Sequence, residues 1–530
     1  MIIRKKSLAV AVGLALMSMA GIASAQITGP SSSATPYVTP TAAGWSVTSV
    51  LTVGDTVAKT GSTLGETYRM VGIPDGLGAY DNGNGTFTVL MNHELGATSG
   101  IARAHGATGA FVSEWIVDKN SLKVVSGQDL AVQHYTWDPA TRNYALATGA
   151  ANSFARLCSA DLPATSAFYN ASTGAGTQSR IFMNGEEAGN EGRAYAFVAT
   201  GANKGKAYEL PALGRLSFEN SLANPYSGNR TVVIGTDDST PGQIYIYTGT
   251  KTTSGTDIER AGLTNGSLAG VKVGTSAAQG GISGNLEQGQ INGAFSTVPV
   301  NTNVSGAAMQ ANSRATGVTE FARPEDGAWA DARTFYFVTT GADPDGAGPV
   351  GTQTARLYKL SFAQGSNGEV DYGNGQITMV TDASSLTGKD GTTARSFDNM
   401  TVGENGKLYI QEDPGNSSYI AKTWEFDPAT KKWTQILESD RSRFLAGAPS
   451  FLTQDEESSG IIEITSILGR NDGKRYFLGD MQAHYALGGE LVEGGQMYVA
   501  AVPEPETYAL LLSGIGLMGT IIRRRKQSNR

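Results

Sequence analysis

Cysteine is almost absent. Cys158 is the single one in 530 residues, so no intrachain disulfide staples the fold. Histidine is scarce as well: His93, His105, His134 and His484 are too few and too scattered to make a zinc site by spacing. Charged residues are 17% of the chain, below the usual share of about 25%. Basic residues are the shorter side, 40 Lys+Arg against 48 Asp+Glu. Eight of them lie at the two ends: Arg4, Lys5, Lys6, Arg523, Arg524, Arg525, Lys526 and Arg530. With these and the tail's Glu504 and Glu506 set aside, residues 26–501 carry 32 basic and 46 acidic groups, a charge of −14. An acidic body argues against nucleic acid as a partner and admits metal cations. Long amphipathic helical patterns are missing, and so are a Ser-His-Asp arrangement, a phosphate-cradling loop and a dinucleotide fingerprint. The Gly-rich stretches lack the helix that such a loop requires.

Both ends carry signals. Residues 1–25 have a basic start, an apolar run from Leu8 to Ala20, and Ala23-Ser24-Ala25 before Gln26. This is the pattern of a secretory signal peptide, and its apolar run is short for a membrane span. The Arg4-Lys5-Lys6 start fits export of an unfolded chain, with metal loading outside the cytoplasm. At the other end Val502-Pro503-Glu504-Pro505 precedes an apolar run, Tyr508 to Ile522, and then Arg523-Arg524-Arg525-Lys526. A short apolar helix capped by basic residues stops in the membrane with its tail in the cytoplasm. Residues 502–530 resemble the PEP-CTERM sorting signal read by an exosortase. That resemblance implies export, a transient C-terminal membrane anchor, and delivery to the cell surface or an exopolysaccharide matrix.

The body between them, residues 26–501, reads as repeats. Strand-length runs rich in β-branched and aromatic residues come in pairs, with an acidic loop inside each pair. Thr86–Met91 ends on His93-Glu94, Arg180–Asn184 on Glu186-Glu187, and Thr231–Gly235 on Asp237-Asp238. Thr334–Thr340 ends near Asp343, Lys407–Gln411 on Glu412-Asp413, and Lys474–Leu478 on Asp480 with His484 close by. A second polar landmark precedes most of the pairs: Asp75, Cys158 with Asp161, Glu219, Glu325, Asp398 and Glu456-Glu457. Six such units predict an all-β six-bladed propeller with long loop insertions; a two-sheet sandwich or a β-solenoid is the alternative. The stretch from Thr252 to Arg314, rich in Gly, Ser, Thr, Asn and Gln, reads as an excursion from one blade or a partly disordered loop.

In a propeller, equivalent positions meet at one end of the central channel, so a linear repeat of acids becomes a ring. Crowded carboxylates repel and demand cations, and oxygen ligands suit Ca²⁺. Arg323 and Glu325 are two apart, which places both on one face of an extended segment. The guanidinium can then hold phosphate or carboxylate oxygens bidentately. Cys158, in Arg156-Leu157-Cys158-Ser159-Ala160-Asp161, is either a small buried apolar group or a soft ligand to a transition metal.

The segments NHELG (92–96), CSADLP (158–163), GEE (185–187), GRLSFEN (214–220), GTDD (235–238), RPEDGAW (323–329), QEDPGN (411–416), DEESSG (455–460) and GDMQAH (479–484) occur in this order. Together they resemble the PhoX-type alkaline phosphatase family over about residues 70–500. The resemblance implies a secreted six-bladed phosphomonoesterase with Fe³⁺ and Ca²⁺ in the channel. It implies Cys158, one of Glu186 and Glu187 (Glu186 being favoured), Glu219, Asp237, Glu325 and Asp413 as metal ligands, and Arg323 as the phosphate clamp. The region from Cys158 to Glu187 departs from the Trp- and Cys-rich wording of characterised members, which leaves calcium better supported than iron. Two other readings stay open: a calcium-binding matrix propeller without catalysis, and a phosphodiesterase or phytase-like propeller.

Overall fold

Each run read as a strand is a strand in the computed structural model, which describes residues 25–274, 291–341, 354–366 and 368–504. The signal peptide up to Ser24, the tail from Pro505 and the loop with Asp343 lie outside the described residues. The strands form six antiparallel blades. The polar landmarks prove to be strands of their own, the innermost one of each blade. These are Pro74–Asp81, Leu157–Asp161, Phe218–Ala223, Pro324–Asp331, Phe397–Val402 and Glu456–Glu463. Each pairs antiparallel with the next strand outward, so the six surround one channel.

The ring is closed by chain from both ends. Ser46–Thr52 adds to the last blade beside Val492–Pro503, and Val38–Pro40 adds to the fifth beside Lys432–Ser439. Thr56–Lys59 then pairs parallel with Val124–Asp129 of the first blade. The expected insertion from Thr252 to Arg314 is mostly structured. Ser267–Val273 and Gly293–Val300 are outer strands, and Gly293–Val300 pairs with Val370–Asp382 to join blades three and four into one nine-stranded sheet. A helix follows, Gly306–Thr316, capped by the Ser305 side chain and ended by left-handed Gly317.

Blade faces pack on one another. Separate buried clusters fill the six gaps between successive blades, as with Leu90, Phe182 and Phe197 between blades one and two. Each inner side chain therefore has its place fixed by two blades, and polar groups on the channel side cannot turn inward to escape one another.

Candidate metal and phosphate site

The six blades repeat one local device at one end of the channel. In every blade the innermost strand starts with an apolar or acidic residue in register with the next strand: Pro74 with His93, Leu157 with Glu186, Phe218 with Asp237, Pro324 with Thr339, Phe397 with Glu412, Glu456 with Ala483. The residue after it meets the channel: Asp75, Cys158, Glu219, Glu325, Asp398 and Glu457. A β-bulge follows within three residues in all six blades. Bulges bend a strand and re-aim its side chains, which here point to the axis. The residue before the pair accepts a backbone hydrogen bond from the second channel-facing group. Ile73 accepts from Glu94, Arg156 from Glu187, Ser217 from Asp238, Arg323 from Thr340, Ser396 from Asp413 and Asp455 from His484. Two stations per blade thus deliver side chains to one small volume.

Ligand atoms of Asp75, Glu94 and Cys158 lie within 4.8 Å of one another, and so do those of Glu219, Asp238 and Glu325. Both groups are buried. Glu219 Oε1 and Glu325 Oε2 have no hydrogen-bond partner. Unpaired buried carboxylate oxygens are costly unless a cation or proton satisfies them. Burial, and then the neighbouring acids, hold Asp75, Glu187, Glu219, Glu325 and Asp398 well above the usual carboxylate range. Asp413 is pushed up to about 7 by burial and by Glu457. Cys158 is raised in the same way, by burial and by Asp75. The donor set fits bound cations: oxygen ligands alone in one group, oxygens with a sulfur in the other.

Few cations face this charge among the described residues. Arg323 forks onto Asp238 at 2.7 and 2.8 Å and reaches Glu325 at 3.1 Å. It meets Glu325 from a left-handed backbone (φ 56°), not from the extended segment expected. Arg156, also left-handed, touches Glu94 at 2.8 Å and Glu187. His484 bonds Glu493 at 2.6 Å; burial opposes its charge, but Glu457 and Glu493 push it up to about 11. Gln482 donates to Asp75, Glu94 and Glu457 at 2.9, 3.0 and 3.3 Å. Below the ring, Ser159 donates to Asn399 across the channel. Beneath that crosspiece is a cavity of about 180 Å³, where Asp326 ties Asn220 to the Met400 amide at 2.7 and 3.0 Å.

Cys158, Glu187, Glu219, Glu325, Asp413 and Arg323 meet here, as the sequence led one to expect. Two expected ligands are displaced by one residue. Glu186 turns away and is clamped by Arg193 at 2.8 Å through both oxygens, while Glu187 faces the ring. Asp237 bonds Ser217, Ser239 and Gln310 at 3.2, 3.0 and 3.0 Å, while Asp238 joins Glu219 and Glu325. The reason is the strand period: neighbours point to opposite sides, so only one of an acidic pair can reach the channel. Asp75, Glu94, Asp398, Glu457, Gln482 and Arg156 were not assigned as site residues from sequence. The signal that finds them is the blade-by-blade register. His93, by contrast, is structural: it bonds Gly72 and Ser113 at 3.0 and 2.9 Å and stacks on Phe111. Glu187→Gln is expected to lower metal content and any turnover with little change in melting temperature. Glu186→Gln is expected to do the reverse, costing about 3 kcal/mol of stability by leaving Arg193 unpaired; melts and elemental analysis of both variants check this.

A closed six-bladed propeller with clustered carboxylates, one thiol and a forked arginine at the channel mouth defines a metal-binding propeller. The chain matches the family Alkaline phosphatase PhoX over residues 172–443, more than half its length, and belongs to that family. It also carries a PEP-CTERM protein-sorting motif at residues 501–526. Among solved structures it resembles Pseudomonas fluorescens PhoX in complex with vanadate, a transition state analogue. That likeness has 13% identity and a TM-score of 0.59, and covers 87% of this chain and 95% of that one. A fungal alcohol oxidase with copper is a far weaker likeness: 12% identity, TM-score 0.30, 82% of this chain and 74% of that one. No curated protein sequence matches.

Proposed function

We propose that this protein is an exported, metal-dependent phosphomonoesterase whose site is the channel-mouth ring. The observation that carries the reading is the pairing of two buried ligand groups with an arginine forked onto one of them. Family membership makes phosphate esters the substrate class. The sorting motif implies export and recognition by an exosortase. We assign residues 26–501 as the catalytic body. The last strand, Val492–Pro503, carries its pairing two residues further, into the sorting motif. No helix among the described residues is long and apolar enough to cross a membrane. We assign transient anchoring to the apolar run 508–522 of the sorting motif.

Glu219, Asp238 and Glu325 would hold Ca²⁺, and Cys158 with Asp75 and Glu94, a mixed sulfur and oxygen set, would hold a transition-metal ion, Fe³⁺. Glu187, Asp398, Asp413 and Glu457 complete the acidic wall. Bound cations supply charge stabilisation for the phosphoryl group and an activated oxygen nucleophile. Arg323 binds the phosphoryl oxygens and orients the ester. The Ser159–Asn399 crosspiece closes the floor, so the ester approaches from the mouth.

Hydrolysis of p-nitrophenyl phosphate by the exported protein, with and without a chelator and with elemental analysis, tests the reading. Turnover with calcium and iron bound supports it. Calcium alone, with no turnover of mono- or diesters, would leave a matrix-binding propeller; preference for diesters or phytate would move the substrate class. Cys158→Ser is expected to lose iron selectively while calcium stays, because a neutral hydroxyl replaces the one thiolate and the Glu219, Asp238 and Glu325 group is untouched.

A further inference from the structure

Six blades offer six equivalent stations just before the innermost strand: Ile73, Arg156, Ser217, Arg323, Ser396 and Asp455. Only two of them hold a long cationic side chain. Arg156 and Arg323 carry the backbone geometry of the station, its left-handed φ recurring at Ile73 and Ser396, and add a guanidinium to it. Both have left-handed backbones, φ 45° and 56°. Both are pinned through their carbonyls, which accept from Glu187 at 2.8 Å and from Thr340 at 3.1 Å. Each guanidinium leans on the acids of one ligand group. Arg323 takes Asp238 and Glu325; Arg156 takes Glu94 and the adjoining Glu187.

Arg156 is the more open of the two, its side chain 50% exposed against 28%. Its Nε donates to the Glu187 carbonyl at 3.0 Å, and its Nη2 serves Glu94 and Glu187. Among the described residues Nη1 has no partner, so two N–H donors remain. Held by carboxylates on one edge and open on the other, the planar fork has the geometry for a tetrahedral oxyanion.

We propose that Arg156 is a second phosphate-binding arginine, contacting phosphoryl oxygens from the Cys158 side of the ring as Arg323 does from the Glu325 side. The proposal rests on the phosphomonoesterase reading and adds a specificity element to it. Two guanidiniums from blades two and four grip a dianionic monoester better than a monoanionic diester, because the terminal oxygens of a diester are fewer and carry less charge.

The test uses the metal-loaded full chain and three variants: Arg156→Ala, Arg156→Lys, and Arg156→Gly, whose backbone accepts the left-handed φ without strain. Binding of inorganic phosphate is measured by calorimetry, KM and kcat with p-nitrophenyl phosphate, and bound metal by elemental analysis. Arg156→Ala and Arg156→Gly are expected to weaken phosphate binding and raise KM by about 10- to 100-fold, with metal retained. Arg156→Lys is expected to recover part of the loss. Wild-type phosphate affinity and KM in both the alanine and glycine variants would overturn the proposal. So would a loss that excess metal fully reverses, since Arg156 would then only steady Glu94 and Glu187. A wild-type protein that neither hydrolyses nor binds phosphate would overturn the phosphatase reading itself. Turnover intact in wild type and variants alike would overturn only the role of Arg156.

Discussion

Arg323→Ala is expected to lower kcat/KM for phosphate monoesters by about 10²- to 10³-fold, the usual cost of removing a preorganised donor from developing negative charge. Arg323 is preorganised in the required sense. Its amide donates to Ser239 at 3.0 Å and its carbonyl accepts from Thr340, so the backbone is fixed on both sides. Its guanidinium is forked onto Asp238 and does not have to be ordered when substrate arrives. Arg323→Lys is expected to restore little, because a point charge cannot hold Asp238 bidentately and also reach a phosphoryl oxygen. Metal content separates this loss from an indirect one. If calcium stays bound and turnover falls, the arginine acts on substrate; if calcium leaves with it, the arginine serves Asp238 and Glu325. Arg230, on the surface with its side chain 42% exposed and paired with Glu369, is the control: its alanine variant should keep wild-type kinetics.

Chelation is expected to make the protein lose thermal stability as pH rises, by about 10 °C between pH 6.5 and 8.5, and Ca²⁺ is expected to abolish that slope. The ring acids have folded values raised by burial and mutual repulsion, Asp413 to about 7 and Asp75, Glu219, Glu325 and Asp398 well above the usual range. Above about pH 4 the unfolded chain has released these protons while the fold still holds them. Stability therefore falls with pH, by about 1.4 kcal/mol per pH unit for each proton the fold retains. At roughly 2–4 °C per kcal/mol, one or two such protons give the stated shift. Below pH 6.5 the buried histidines work the other way. His93, His105 and His134 are lowered to about 3, 4 and 3, chiefly by burial, so the metal-free fold loses their contribution as pH falls. The window from 6.5 to 8.5 excludes these three histidines; His484, held charged up to about 11, adds its own loss of stability there to that of the acids. Melting curves with chelator and with added Ca²⁺ at the two pH values decide it, and equal melting temperatures in chelator would remove the ring as a cation site. Acid should strip the metal for the same reason, protons replacing it on the same oxygens.

Much of this was legible from the chain alone. Alternating runs bounded by turn residues specified the strands, because a half-buried strand needs an apolar face every second residue. The recurrence of acids at strand ends specified the sixfold repeat, with Cys158, Glu219 and Glu325 among its landmarks; Arg323 stood out by its spacing to Glu325, and the roles of all four followed from the family resemblance. The ends declared export and sorting in composition. Tertiary structure decided which member of each acidic pair faces the channel. Glu186 or Glu187, and Asp237 or Asp238, are alike in sequence; which one reaches the axis depends on register and on the bulge that follows Leu157 or Phe218. Tertiary structure also turned the isolated landmarks Asp75, Asp398 and Glu457 into ring members, since residues hundreds apart meet only when Ser46–Thr52 closes the last blade. Arg156 shows the difference most clearly. In sequence it is one arginine beside a cysteine. Only superposition of one blade on another places it at the station of Arg323, because blade symmetry is a property of the closed ring and of no single segment.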